Sequence, residues 1–217
     1  MASNNSNTHL PKVAIIGAGK LGIVLAQLLL KAGYEVFLAG SEDPKKIELT
    51  VSVITPGAVA KHKTDAAKEA DIIILALPLS RFKTLPKAEM AGKLVIDAMN
   101  FWWEVDGDRD GFIPDDQSSS EAVQEFLSES RVVKALNHMG YHNLLDESLP
   151  AGTEDRKSLA IAGDESRDVV LVSHITNDIG FDPLPIGALS EGRVLEAGGP
   201  VFGANLSLEQ LKQKLAK

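Results

Sequence analysis

Residues 12–41 read KVAIIGAGKLGIVLAQLLLKAGYEVFLAGS, and this stretch carries the strongest fold signal in the chain. Lys12 to Ile16 is a short apolar run that ends in a cluster of glycines, and a second apolar run covers Tyr34 to Ala39. Between them, apolar residues recur at helical spacing from Leu21 to Leu28. Gly33 then follows where the C-terminal end of a helix is expected. The stretch therefore predicts a strand, a tight turn, a helix and a second strand.

The glycine cluster, Gly17-Ala18-Gly19-Lys20-Leu21-Gly22, has the spacing G-x-G-x-x-G. At this place in a strand-turn-helix unit, the first glycine permits the tight turn and the second lets the backbone approach a pyrophosphate. The third lets the helix pack closely on the strand. Free backbone N–H groups and the positive end of the helix dipole favour an anion at the helix start. We therefore predict that these six residues, hereafter the glycine turn, bind a dinucleotide rather than form a plain turn.

The end of the second predicted strand indicates which nicotinamide nucleotide binds. An NAD site usually has Asp or Glu there, whereas this chain has Gly40-Ser41. The Ser41 hydroxyl can donate to a 2′-phosphate, and Lys45 or Lys46 can neutralise it. Glu42 argues against NADP, because a carboxylate near the 2′-phosphate would repel it. We predict NADP as the cofactor, with NAD as the less favoured alternative.

The alternation of strands and helices continues along the chain. Residues 71–77 are too continuously apolar for a half-exposed strand and predict a strand buried on both faces, as in a parallel sheet covered by helices. We expect an α/β fold of the Rossmann type, with a doubly wound, mostly parallel sheet and a small C-terminal α/β lobe. The expected organisation is a disordered tail (1–10), a dinucleotide-binding domain (11–140) and a smaller lobe (141–217). Further strands are expected at 58–62, 94–98, 131–136, 158–162 and 181–186, and helices from 43, at 64–70, 120–129 and 165–179, and from 207.

The composition argues against several other classes of protein. The 217 residues include 22 Lys+Arg and 30 Asp+Glu, a net charge of -8, with no Lys/Arg-rich run that would favour nucleic acid or anionic membranes. The absence of cysteine excludes disulfides and thiolate metal sites. No stretch approaches the roughly 20 apolar residues of a membrane span, and residues 1–11 lack the pattern of a signal peptide. We expect a soluble, cytoplasmic protein with a small-molecule substrate, no metal, no nucleic acid and no membrane partner.

An acidic stretch over 104–120 contains Asp106-Gly107-Asp108-Arg109-Asp110-Gly111, which has the spacing that begins a calcium loop. The twelfth position of such a loop is Gln117 rather than Glu, and Pro114 interrupts its second half. We therefore interpret the stretch as a long exposed loop.

Four segments carry a family resemblance: the glycine turn, 34–41 (YEVFLAGS), 77–79 (LPL) and 133–136 (VKAL). Together they resemble the NADP oxidoreductases dependent on coenzyme F420, which pass hydride between NADP and a deazaflavin. That family is related to the cytoplasmic domain of the membrane ferric reductases. The resemblance extends over nearly the whole chain and is looser beyond Asn100. It implies an NADP-dependent oxidoreductase that uses a flavin or deazaflavin such as F420 as co-substrate and forms a homodimer.

The resemblance also implies roles for single residues. Ser41 matches the family's 2′-phosphate serine, and Lys45 or Lys46 matches its following lysine. Leu77 and Pro78 match the strand-end pair that flanks the nicotinamide ribose. Residues that match the family's pyrophosphate turn are Gly17, Gly19, Lys20, Leu21 and Gly22. The chain departs from the family at three places. Glu42 replaces the usual Arg, residues 137–138 (NH) replace a His followed by Thr, and the Trp102-Trp103 loop is longer and more acidic than in archaeal members.

Hydride transfer takes place between two flat rings, so the chain must mainly stack them and exclude water. Strand ends build the site in a doubly wound sheet, which makes Pro78, Asn100, Asn137 and His138 candidates. We predict Asn137 and His138 as catalytic residues and Asn100 as a cofactor contact. His138 can hydrogen-bond or protonate the acceptor, and a satisfied structural histidine is an equal alternative. The pair Trp102-Trp103 can wall the acceptor pocket, form a subunit contact or be buried in the monomer core.

Two other functions compete with a flavin or deazaflavin reductase. One is a sensor or scaffold that binds NADP without turnover, and the other is a reductase of a small imine or carbonyl substrate. Imine reductases and hydroxyacid dehydrogenases share the first half of the fold but usually continue into a long helical domain. Only about 75 residues follow Gly140 here, with mixed strands. We expect residues 141–217 to complete the acceptor pocket instead.

Overall fold

The computed structural model describes residues 10–41, 43–108, 113–114 and 116–216. Some of the predictions concern other residues. The proposed tail (apart from Leu10), Glu42 and the middle of the acidic loop, 109–112, lie outside the described residues.

One sheet of eight strands forms the centre of the described residues. The strands are Val13–Ile16 (β1), Val36–Ala39 (β2), Val59–Ala60 (β3), Ile72–Leu75 (β4), Leu94–Asp97 (β5), Arg131–Lys134 (β6), Ser158–Gly163 (β7) and Asp182–Gly187 (β8). Their order is β3-β2-β1-β4-β5-β6-β7-β8. Strands β1 to β6 pair in parallel, β7 is antiparallel to β6, and β8 is parallel to β7. The predicted α/β fold with a mostly parallel, doubly wound sheet is confirmed.

Helices cover both faces of this sheet. They are Lys20–Lys31 (α1), Lys45–Ile54 (α2), Lys63–Glu69 (α3), Lys87–Met90 (α4), Trp103–Asp106 (α5), Ser119–Phe126 (α6), Tyr141–Asp146 (α7), Ser166–Asp178 (α8) and Leu208–Leu215 (α9), with 3-10 helices at Leu79–Thr84 and Leu189–Leu195. The sequence predicted α1, α2, α3, α6, α8 and α9 to within a few residues. It missed α4, α5, α7 and the 3-10 helices, because one or two turns are too short to show a period. None of the described helices is both long and apolar enough to cross a bilayer.

The apolar core lies on both faces of the sheet. In β1, Val13 and Ile15 belong to one buried cluster, while Ala14 and Ile16 belong to another. Alternate side chains of this strand therefore point to opposite faces, and both faces are covered. All four residues of β4 are buried, which confirms the prediction made from its continuous apolar run.

The strand order places a crevice between β1 and β4. From β1 the chain moves outward through β2 to β3, then returns to β4 and continues through β5 and β6 in the other direction. The loops at the carboxyl ends of β1 and β4 therefore diverge. Doubly wound sheets bind their ligands at such a point.

Residues 141–216 extend the same sheet rather than beginning a new one. The short helix α7 leads from β6 to β7, and α8 crosses from β7 to the parallel strand β8. The boundary predicted at 140/141 stays a prediction.

Candidate active site and cofactor-binding crevice

The predicted site residues lie at one edge of the sheet, where the parallel strands end. Gly17 follows β1, Ser41 follows β2, Pro78 follows β4, Asn100 follows β5 and Asn137 follows β6. Because these strands are parallel, their carboxyl ends share an edge. The fold thereby brings residues from five separate turns to the same side of the molecule.

The three glycines of the turn differ in what surrounds them. Gly17 has a φ of +129°, and a Cβ there would lie 2.1 Å from the carbonyl oxygen of Ala76. A Cβ on Gly22 would lie 1.8 Å from the carbonyl oxygen of Gly17. The packing of the protein itself therefore requires glycine at both positions. Gly19 has an ordinary φ of -83°, and a Cβ there would meet nothing within 4 Å.

The open space at Gly19 adjoins the beginning of α1. Gly19 is the N-cap of α1 and provides no side-chain cap. The first backbone N–H groups of a helix have no partner within it, and the helix dipole makes this end positive. The first turn also contains Lys20, whose Nζ lies 5.5 Å from the centre of the Tyr141 ring, and no acidic residue. A pyrophosphate fits an uncapped helix start that lacks a side chain at its nearest residue.

A cavity of about 600 Å³ lies along this edge, a size typical of small-molecule sites. The predicted cofactor residues that line it are Gly17, Ala18, Gly19, Ser41, Leu77 and Pro78. Lys20, Leu21 and Gly22 follow in the first turn of α1. The structure therefore brings together the glycine turn, the end of β2 and the end of β4, as a bound dinucleotide would require.

Besides Lys20, Leu21 and Gly22, three further predicted cofactor residues lie outside this lining: Lys45, Lys46 and Asn100. Lys45 and Lys46 occupy the first turn of α2, where the backbone N–H of Lys45 donates to Asp43 Oδ1 at 2.9 Å. Asn100 lies further along the edge, beyond β5, and its side chain is bound to Asn137.

Sequence reasoning missed two cations that do line the cavity, Lys63 and Arg81. Lys63 begins α3 directly after β3, and Arg81 lies in the 3-10 helix that follows β4. The sequence indicates these two cations only by their position, since each lies a few residues beyond the end of a strand. That signal is weak, because the 3-10 helix has no readable period.

Asn100 and Asn137 hold the ends of β5 and β6 together. Asn100 Nδ2 donates to the backbone oxygen of Asn137 at 2.8 Å, and Asn137 Nδ2 donates to Asn100 Oδ1 at 3.0 Å. Asn137 Nδ2 also donates to the backbone oxygen of Leu195 at 2.8 Å. Asn137 Oδ1 is buried without a hydrogen-bond partner among the described residues. It therefore has acceptor capacity left for a ligand.

The backbone just before Asn137 is strained. Leu136 has a φ of +63°, a region that residues with a branched or bulky side chain rarely adopt. Such a conformation costs on the order of 1 kcal/mol or more and is concentrated at functional sites. It turns the chain sharply at the end of β6, where both predicted catalytic residues lie.

His138 is buried rather than open to the cavity. Its side chain is 1% exposed, and its Nε2 accepts a hydrogen bond from the backbone N–H of Ala160 at 3.0 Å. Burial lowers the pKa of the imidazole to about 4, so the ring is neutral at neutral pH. Its Nδ1 is buried without a hydrogen-bond partner among the described residues, so the ring is only partly satisfied. The catalytic role and the structural alternative both stay predictions.

The aromatic pair lies at the surface beside the cavity. Trp102 is 48% exposed and Trp103 is 71% exposed, so neither is buried in the monomer core. The Trp102 ring packs edge-on against Phe202 with the ring centres 5.6 Å apart. Asp106 accepts from the backbone N–H groups of Ser80 (2.9 Å) and Trp102 (2.8 Å), which fixes this segment to the 3-10 helix after β4. A wall of the acceptor pocket and a subunit contact both remain compatible with this position.

A second cavity of about 320 Å³ contains none of the predicted site residues. It lies where α1 and α8 end, at the amino-terminal edge of the sheet. Close by, the Tyr34 hydroxyl donates to Asp178 Oδ2 at 2.7 Å, and burial together with this bond raises the pKa of the tyrosine.

No group of three or more His, Asp or Glu side chains among the described residues is placed to hold a metal ion. The residues at the centre of the calcium-like spacing, Arg109 to Gly111, lie outside the described part of the chain.

Fold and site together define a Rossmann-type protein with a crevice suited to a dinucleotide. Residues 12–101 match the family model described as NADP oxidoreductase, coenzyme F420-dependent. The F420-dependent NADP reductase of Methanocaldococcus jannaschii is 30% identical over 213 residues, which is 90% of this chain and 92% of that reductase. The chain belongs to this family of F420-dependent NADP oxidoreductases.

Other similar proteins differ in how much of their own length this chain covers. Metalloreductase STEAP3 of Rattus norvegicus is 28% identical over 190 residues, which is 86% of this chain. The chain spans only 36% of that rat protein. Among solved structures, a hypothetical protein from Sinorhizobium meliloti superposes with a TM-score of 0.77 at 27% identity, covering 91% of this chain and 96% of the other.

Proposed function

We propose that this protein transfers hydride between NADP(H) and a flavin or deazaflavin acceptor of the coenzyme F420 type. The observation that carries the proposal is the open space at Gly19, directly before an uncapped helix and inside the 600 Å³ cavity. Similarity along 90% of the chain to an F420-dependent NADP reductase supports the same acceptor class.

The residues that would hold the cofactor lie along the crevice. The backbone of the glycine turn binds the pyrophosphate, and Ser41 binds the adenosine ribose with its 2′-phosphate, assisted by Lys45 or Lys46. Leu77 and Pro78 flank the nicotinamide ribose, and Asn100 lies beyond them toward the acceptor. When bound, NADPH supplies the hydride.

The chain's own task is to orient the two rings and keep water away from them. Asn137 is held by Asn100 and Leu195, and its buried Oδ1 is free to accept a hydrogen bond from a ring N–H. His138 Nε2 is occupied as an acceptor by Ala160 N–H, so that atom has no proton to give. The neutral ring carries its proton on Nδ1 instead, which is buried without a hydrogen-bond partner among the described residues. Because His138 is only 1% exposed, the proposal takes the proton that accompanies the hydride from solvent.

The C-terminal lobe completes the acceptor side. Leu195 accepts from Asn137, the backbone N–H of Gly203 donates to the backbone oxygen of His138 at 2.7 Å, and Phe202 packs on Trp102. Residues 195–203 thus cover the ends of β5 and β6, and in the proposal Trp102 forms a wall beside the acceptor ring. A homodimer in the cytoplasm remains part of the proposal.

The test is consumption of NADPH and NADH by the purified protein with F420, FMN or riboflavin as acceptor, followed by nicotinamide absorbance. We expect NADPH to be oxidised faster than NADH with at least one of these acceptors. Binding of NADPH without reduction of any acceptor would support a sensor instead. Reduction of simple imines or carbonyls, but of no flavin, would show that the acceptor class is wrong.

A further inference from the structure

Two cations that no sequence motif predicted share the cavity with Ser41. Lys63 reaches it from the start of α3 and Arg81 from the 3-10 helix after β4. Among the described residues that line the cavity, Lys63 and Arg81 carry a charge, and both charges are positive. The whole chain has a net charge of -8, so a positive lining is a local feature.

Thr84 binds the ammonium group of Lys63 and the backbone of Arg81. Lys63 Nζ donates to the backbone oxygen of Thr84 at 2.6 Å and to its Oγ1 at 3.3 Å. Thr84 Oγ1 in turn donates to the backbone oxygen of Arg81 at 2.8 Å. One side chain therefore links the start of α3 to the 3-10 helix and orders the rim of the cavity that carries the positive charge.

Both cations have donors left for a ligand. An ammonium group has three N–H donors, and Thr84 takes two of those on Lys63. The Arg81 guanidinium has five N–H donors, and the described residues offer it neither a hydrogen bond nor an ion pair. The neighbouring carboxylate of Asp106 is occupied on both oxygens by backbone N–H groups of Ser80 and Trp102.

We infer that Arg81 and Lys63 recognise the 2′-phosphate of NADP and set the preference for NADP over NAD. The inference rests on the proposed function, since it concerns the same cavity. The family usually has an arginine directly after the serine, and this chain has Glu42 there instead. Lys63 follows β3, which lies beside β2, and Arg81 follows β4, which lies beside β1. Both supply positive charge to the cavity between them. A guanidinium fork binds two phosphate oxygens at once, whereas the 2′-hydroxyl of NAD gives it no charged acceptor.

The test is titration calorimetry of the full-length protein with adenosine 2′,5′-bisphosphate and with 5′-AMP, which differ only in the 2′-phosphate. We expect the wild-type protein to bind the bisphosphate at least about tenfold more tightly than 5′-AMP. Arg81→Gln should weaken the bisphosphate by about ten- to a hundredfold and leave 5′-AMP nearly unchanged. Lys63→Gln should act in the same direction, and Arg81→Lys should fall between Arg81→Gln and the wild type.

Lys83→Gln is the matched control, because Lys83 is an exposed cation of the same 3-10 helix and does not line the cavity. It should bind both nucleotides as the wild type does. Thermal unfolding of each variant checks that the fold is intact, and Arg81→Lys keeps the test valid if Arg81→Gln folds poorly.

Three outcomes would overturn the inference. An unchanged affinity ratio between the two nucleotides in the Arg81→Gln Lys63→Gln double variant would remove the phosphate assignment, while NADPH oxidation by the wild type would leave the proposed function standing. Equal losses for both nucleotides would place the cations against the adenine or the 5′-phosphate. Failure of the wild type to bind either nucleotide would sink the proposed function together with the inference.

Discussion

Lys134 and Asp97 form an ion pair in which both side chains are fully buried, with Nζ 3.3 Å from Oδ2. They lie opposite each other in the register of β5 and β6. Each precedes a site asparagine by three residues, Asp97 before Asn100 and Lys134 before Asn137. Lys134 Nζ also donates to the backbone oxygen of Met99 at 2.6 Å. The pair therefore anchors both strand ends that carry the acceptor side of the site.

Lys134→Met should destabilise the protein strongly, because it leaves the Asp97 carboxylate buried without its cation. We expect the free energy of unfolding, measured in urea, to fall by about 3–5 kcal/mol. The double variant Lys134→Met Asp97→Asn should recover a large part of that loss, since neither charge then remains. A single variant as stable as the wild type would show that the pair does not hold these strands.

The glycines of the turn should respond differently to a methyl group. Gly22→Ala should lower the free energy of unfolding by about 1–3 kcal/mol, because its Cβ would collide with the Gly17 carbonyl oxygen. Gly19→Ala should change it by less than about 1 kcal/mol, because its Cβ meets nothing and its φ is ordinary. Thermal and urea unfolding of the two variants measure this difference. Equal decreases in the free energy of unfolding would contradict the geometry of the turn.

Asn137→Ala should cost about 1–3 kcal/mol of unfolding free energy, since it removes the donor to the side-chain oxygen of Asn100 and to the backbone oxygen of Leu195 in a buried bond. It should also reduce kcat with the best acceptor more than it raises the KM for NADPH, because Asn137 does not line the cofactor cavity. Asn100→Ala should lose less stability, because Asn100 is only partly buried. A kcat equal to that of the wild type would leave Asn137 with a structural role only.

Burial of His138 should make stability depend on pH. Its pKa is about 4 in the folded protein and near 6.5 when unfolded, so the unfolded chain takes up the proton first as the pH falls. The contribution of His138 is fully present above pH 6.5 and is lost as the pH falls toward 4, by up to about 3 kcal/mol.

Urea unfolding between pH 4 and 8 measures how the free energy of unfolding depends on pH in the wild type and in His138→Gln. The difference in slope between the two below pH 6.5 is the expected signal, and identical slopes would contradict it. Loss of turnover in His138→Gln, without any change in stability or NADPH affinity, would instead support the catalytic role predicted from the sequence.

The nucleotide half of the fold was predictable because its signals are local. The turn from Gly17 to Gly22 lies between an apolar run and a helical period, and β4 is a continuous apolar run. Each of these patterns has a single structural explanation. The positions of Ser41 and Pro78 at the edge of the sheet were predictable for the same reason, since each follows a strand of that kind.

The remaining site residues depend on contacts between distant segments. Arg81 and Lys63 line one cavity because the strand order brings the segments after β3 and β4 to the same edge, where Lys63 bonds Thr84. Neither helix start is marked by a side-chain cap. A lone histidine carries no pattern that says whether it is buried, so the packing of His138 against β7 was not readable. The Lys134–Asp97 pair runs against the rule that charges stay outside, and only the strand register reveals it.

The central claim, that the glycine turn holds the pyrophosphate of NADP(H), is tested most directly by calorimetric titration of NADPH into the wild type and Gly19→Asp. The fold tolerates a side chain at this position, and the added carboxylate occupies the space assigned to the phosphates. We predict that the affinity of Gly19→Asp falls by at least about a hundredfold while its thermal unfolding is unchanged. Ala88→Asp, which adds the same charge on the exposed side of α4, should bind NADPH as the wild type does. Equal affinity of Gly19→Asp and the wild type would contradict the claim.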